Sequence, residues 1–121
     1  MPYVQSCFVS TFPPRKCGLA TFTEDLAEAM TGLKLGPEPW VVAITKKDEP
    51  LEYDRRVRFE IKQEEEASYT AAARWLNAAP VDVVMIEHEY GIFGGEYGSY
   101  LLTLLKHLTK PALVTLHTVL P

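Results

Sequence analysis

The chain has little cysteine: two residues in 121, Cys7 in a β-type run and Cys17 in a loop, with neither a C-x-x-C nor a zinc-type spacing. That excludes a disulfide framework and a structural metal site, and two reduced thiols are expected. No apolar run approaches the roughly 18 residues of a membrane-spanning helix. The opening 'MPYVQSCFVSTFPP' lacks the basic region and the apolar length of a signal peptide, so the chain is expected in the cytoplasm. Positive charge is not in excess either. Twelve Lys and Arg stand against sixteen Asp and Glu, a net charge of -4, and basic residues are scattered apart from Arg55, Arg56 and Arg58. Nucleic acid is therefore not an expected partner. The phosphate-binding motifs G-x-G-x-x-G and G-x-x-x-x-G-K-[ST] and the nucleophile elbow G-x-S-x-G are all missing, which leaves nicotinamide-cofactor, P-loop and serine-hydrolase chemistry without support.

What the chain does have is an ordinary globular composition, 47% hydrophobic and 23% charged, in a length that suits one domain with a real core. Strand and helix signals alternate. Strands are expected at Val4–Ser10, Trp40–Thr45, Val57–Ile61, Val81–Ile86 and in 'ALVTLHT'. Apolar residues at Leu19, Phe22, Leu26, Met30 and Leu33 give a helix close behind Gly18, with Thr21 and Glu24 at the spacing of a capping box. Glu64, Glu65 and Glu66 load the start of a second helix, whose inner face is read as Ala67, Ala71, Trp75 and Ala78 or Ala79, closed by Pro80. A third runs from Leu101 to Leu108, with Lys106, His107 and Lys110 near its C-terminal end and Pro111 beyond it. 'VDVVMI' is apolar almost throughout and is expected at the centre of the sheet. The alternation predicts an α/β, Rossmann-like fold, a mostly parallel sheet with helices on both faces and right-handed crossovers. Such a sheet gathers 'TFPPRKCG', 'EHEYGIFGGEYG' and 'HTVLP' at the carboxyl ends of three strands, the edge where ligands bind in open α/β sheets.

Each of these loops has a chemical and a structural reading. Gly18 precedes a helix N-terminus suited to a phosphate, or it merely makes a tight turn. Gly91, Gly94, Gly95 and Gly98 let a backbone approach a ligand closely, or make the loop mobile. In 'EHE' the side chains alternate, so Glu87 and Glu89 are expected to point one way and His88 the other, an arrangement that cannot grip a metal. The two carboxylates are too close in sequence to straddle a substrate as a hydrolase pair does; a salt-bridged or capping role fits them. His117, at a strand end between Thr115 and Thr118, can donate to a phosphate or sugar hydroxyl or carry a proton, or is structural.

Taken together, 'STFPPRKCGLATFTEDLAEAM', 'IEHEYGIFGGEYG' and 'PALVTLHTVLP' resemble, in order, the N-terminal part of a GT-B glycosyltransferase of family 4 (group 1), the retaining, nucleotide-sugar-dependent enzymes. The resemblance implies transfer of a sugar from a nucleotide-diphosphate donor to a hydroxyl acceptor, saccharide or lipid-linked. It implies no cofactor and no essential metal, the nucleotide sugar being a substrate. Gly18 and Leu19 would approach the donor phosphates, and His117 would be catalytic, beside the transferred sugar. Arg15, His88, Glu89, Tyr90, Phe93, Gly94 and Gly95 would line the acceptor side. Residues 1–121 then form a single, incomplete, acceptor-side domain that lacks its C-terminal nucleotide-sugar domain and is inactive alone. Membrane contact would be at most peripheral, at the inner face. The chain departs from the pattern at Cys17, where family members often carry a glycine. Glu52 and Glu60 have E-x7-E spacing but in the wrong half, by coincidence. The alternative is a non-catalytic sugar- or phosphate-binding or protein-interaction module of the same fold.

Overall fold

The computed structural model describes residues 3–34 and 36–119. The elements in chain order are β1 (Ser6–Ser10), α1 (Gly18–Gly32), β2 (Trp40–Thr45), β3 (Val57–Lys62), α2 (Glu66–Ala78), β4 (Val83–His88), α3 (Tyr100–His107) and β5 (Ala112–Leu116), with a 3-10 turn at Glu96–Gly98. The strands form one sheet in the order β3-β2-β1-β4-β5, every pairing parallel. The chain builds outward from β1 to β3, then returns to lay β4 on the other side of β1. This makes the gap between β1 and β4 the switch point, where helices leave in opposite senses and a crevice opens. The all-parallel α/β, Rossmann-like architecture is thus the one expected. β1 holds the middle, however, and β4 lies one place out; the fully buried pattern of β1, 'SCFVS', was as good a signal of a central strand as 'VDVVMI'.

Because side chains alternate along a strand, β1 feeds two cores. Cys7 and Val9 face α2 and α3 with Val42, Ile44, Ile61, Val84 and Ile86, against Tyr69, Ala72, Leu76, Leu101 and Leu104. Phe8 faces α1 with Val41 and Ala43, against Phe12 and Ala27. Among the described residues no helix is long and apolar enough to cross a membrane.

Two helix readings need correction. No capping box starts α1: Thr21 and Glu24 lie inside the helix, and the residue before it, Cys17, is extended and provides no side-chain cap. The fully buried face of α2 is Tyr69, Ala72, Ala73 and Leu76; of the expected inner face Trp75 and Ala79 are half-buried against the same core, whereas Ala67, Ala71 and Ala78 are exposed. In an alanine-rich segment two stripes fit the same period, and the one that carries Tyr69 and Leu76 is the one fully buried. Glu64 and Glu65 precede α2, leaving only Glu66 in its first turn.

Candidate functional site

Three loops meet at the carboxyl edge. Ser10, at the end of β1, bonds Thr23 of α1 through their hydroxyls at 2.8 Å, fixing the start of α1 against the strand. Since no side chain caps that start, the first N–H groups of the helix keep their donors, and the positive end of the dipole, for a ligand. β5 delivers His117 just past its last residue, where its backbone N–H donates to the His88 carbonyl at 3.0 Å. The ring of Phe22, from the second turn of α1, meets the His117 ring edge-on with centroids 4.7 Å apart.

Glu87 is 1% exposed, yet its Oε2 has no hydrogen-bond partner. Its Oε1 stands 3.6 Å from His117 Nε2, close enough for an ion pair and too far for a hydrogen bond. A buried carboxylate opposite one ring nitrogen favours the tautomer with its proton on that nitrogen, leaving Nδ1 as the lone-pair side. Glu89 is tied down by two donors: Thr118 Oγ1 to Oε2 and the Tyr90 N–H to Oε1, each at 2.9 Å. The Thr118 bond, then the Tyr90 bond, holds the Glu89 carboxyl below its usual range. As the alternation of 'EHE' required, His88 lies on the opposite side from Glu87, stacked on Phe93 with centroids 5.7 Å apart.

These side chains divide the edge into three hollows. One of about 470 Å³ is lined by Cys17, Gly18, Leu19, Phe22, Glu89, Tyr90, Ile92 and His117. Next to it, sharing Glu89 and Tyr90, is one of about 320 Å³ bounded by His88, Gly91, Phe93, Gly95, Tyr97 and Gly98. On the other side, sharing Cys17, is one of about 570 Å³ that includes Arg15, Lys16 and Lys46. No family model, curated protein or solved structure matches the chain.

The expected site residues are therefore distributed, and only in part together. Gly18, Leu19 and His117 share the middle hollow. Glu89 and Tyr90 divide it from the one formed by His88, Phe93 and Gly95, while Arg15 stands on the far side of Cys17 and apart from that group. Gly94 lines none of the three. It is glycine because a Cβ there would collide with the carbonyl oxygen of Gln63, and its N–H donates to the Tyr69 hydroxyl at 3.0 Å. Tyr69 in turn donates to the Gln63 carbonyl at 2.9 Å, and Gln63 Nε2 to the Gly91 carbonyl at 3.1 Å. The glycine loop is pinned to the end of β3 rather than left mobile. Gly95 has φ +81, and a Cβ there would also press on the Tyr100 ring.

Glu87 and Phe22 were not among the expected functional residues. The signal for Glu87 was available: it is the one acid inside the apolar run of β4, in register with Thr115, two residues before His117. For Phe22 there was none, because it is one more apolar residue of the stripe that marks the helix, and it is half-exposed at 43%.

Proposed function

We propose that the chain is the acceptor-side, Rossmann-like part of a retaining glycosyltransferase that takes a sugar from a nucleotide-diphosphate donor to a hydroxyl acceptor. The observation that carries this is the middle hollow, where an uncapped helix N-terminus and His117, backed by the buried Glu87, meet at one space of about 470 Å³. Departure of a nucleoside diphosphate develops negative charge on its phosphate oxygens. The first N–H groups of α1, at Gly18 and Leu19, are fixed donors for that charge and need not reorganise as it grows. His117 stands at the same space, with Glu87 orienting its ring, so that it contacts the sugar in transfer. Glu89 and Tyr90, shared with the smaller hollow, line the same space as His117. Membrane contact, for a lipid-linked acceptor, is peripheral in this reading.

The test is an assay of the polypeptide its gene encodes with a panel of nucleotide-diphosphate sugars, following release of the nucleoside diphosphate. Replacing His117 with alanine should reduce release on the order of 100-fold, the range for loss of a positioned catalytic group. Normal release by His117→Ala removes that residue from the chemistry. Saturable sugar binding with no release from any donor would instead favour a binding module.

A further inference from the structure

We propose that the hollow of about 570 Å³ beside Cys17 binds a phosphate group carried by the acceptor, an inference that rests on the glycosyltransferase reading and narrows it to phosphorylated acceptors. Three cations converge there, Arg15 and Lys16 from the loop after β1 and Lys46 from the end of β2, against one acid, Glu49. This opposes the sign of a chain whose net charge is -4. Arg15 decides the matter. It is only 8% exposed, and Nη1 donates to the Ile44 carbonyl at 2.9 Å. Among the described residues no carboxylate forms an ion pair with it, whereas Arg56, the other well-covered arginine, is met by Asp54, Glu24 and Glu28. A guanidinium withdrawn from water without a counter-charge is unfavourable, and an anion entering the hollow supplies what the protein does not.

The donor set suits a tetrahedral dianion. A planar fork on one wall and two mobile ammonium groups on others can engage three phosphate oxygens, where a flat carboxylate would occupy the fork alone. The volume accommodates a phosphate together with a sugar-sized group. Cys17 is the shared wall with the middle hollow, so a phosphate bound here places the rest of its molecule toward His117.

The experiment is a two-dimensional NMR titration of the full chain, first with inorganic phosphate, then glucose 6-phosphate, then vesicles containing phosphatidic acid. Saturable shifts are expected at the amides of Lys16, Lys46 and Leu51. Because Arg15 is buried and its replacement risks the fold, the decisive variant is Lys16→Gln with Lys46→Gln on the surface. It should weaken phosphate binding about tenfold or more, while the charge-matched pair Lys62→Gln with Lys106→Gln leaves it unchanged. Tighter binding of glucose 6-phosphate than of inorganic phosphate supports a soluble acceptor, and retention on the vesicles supports a lipid-linked one. An affinity unmoved by the Lys16 and Lys46 changes, or shifts confined to Gly18 and Leu19, overturns the proposal; the second outcome leaves the donor-phosphate reading in place. Shifts at Lys16 and Lys46 in a protein that turns over no nucleotide sugar would sink the transferase reading and keep the anion site.

Discussion

The two edges of the sheet are made differently. On β3 the exposed residues Arg58, Glu60 and Lys62 alternate with Val57, Phe59 and Ile61, which are covered, Val57 on the α1 side and, past a bulge in the pairing with β2, Phe59 and Ile61 on the α2 side. Arg58 lies over the Trp40 ring at 4.4 Å, and Phe59 packs on Trp75 with centroids 5.7 Å apart. On β5 every residue is exposed, although its sequence is 'ALVTL': Leu113 at 61%, Val114 at 44%, Leu116 at 56%. The first edge has the period of a strand with one wet face, the second the composition of a strand covered on both. On the α1 side of β4, Tyr3, Val4, Met30, Leu33, Val83 and Met85 line a mostly apolar hollow of about 640 Å³. Apolar pattern alone therefore tells that a strand is built for cover, and says nothing of what supplies it.

The difference can be measured. Truncating the α2 residue Leu76, fully buried under the β1–β3 half, should cost about 2–5 kcal/mol in chemical denaturation, while Leu113→Ala on β5 should cost less than about 0.5 kcal/mol. Equal losses would mean that β5 is covered in solution and the contrast is false. Next in size is Gly94→Ala, which drives a methyl group into the Gln63 carbonyl and should cost about 1–3 kcal/mol while detaching the glycine loop from the β3 end. Stability within experimental error of wild type would show that the loop is held otherwise.

Alkali gives a smaller effect with a definite sign. Burial pushes the Cys7 thiol from 9.0 up to about 12. Its contribution is complete below pH 9.0 and is lost as pH rises toward about 12, because the unfolded chain releases the proton first. At one unit above 9.0 the loss is on the order of 1 kcal/mol. Cys7→Ala should flatten the stability curve between pH 8 and 10 by about that amount, and an unchanged slope would show that the thiol is not buried under α2 and α3. Smallest is Leu113→Lys, which should leave unfolding within about 0.5 kcal/mol; a marked loss of stability would again mean a covered β5.

The sequence carried the element order, the parallel sheet and the edge on which the loops gather, because alternating strand and helix signals with short connections allow few topologies. Trp40–Thr45 was read to the residue, since a charged pair follows it directly. The partners were less legible. Whether Gly94 serves a ligand or the protein depends on where Gln63 lies, thirty-one positions earlier, and no local pattern encodes that approach. Glu87 likewise gains its meaning from β5, which brings His117 beside it only through strand register.

The hollows open beyond the tips of β2, β1, β4 and β5, and neighbouring strands in any sheet stand about 4.8 Å apart, so this row is about 14 Å from first tip to last. The backbone hydrogen bonds of the sheet thus act as a ruler. Changes in the loops can alter what is gripped at each mark, but the distance between grips is set by peptide geometry, and a molecule that engages Lys46 and His117 at once must span several strand widths.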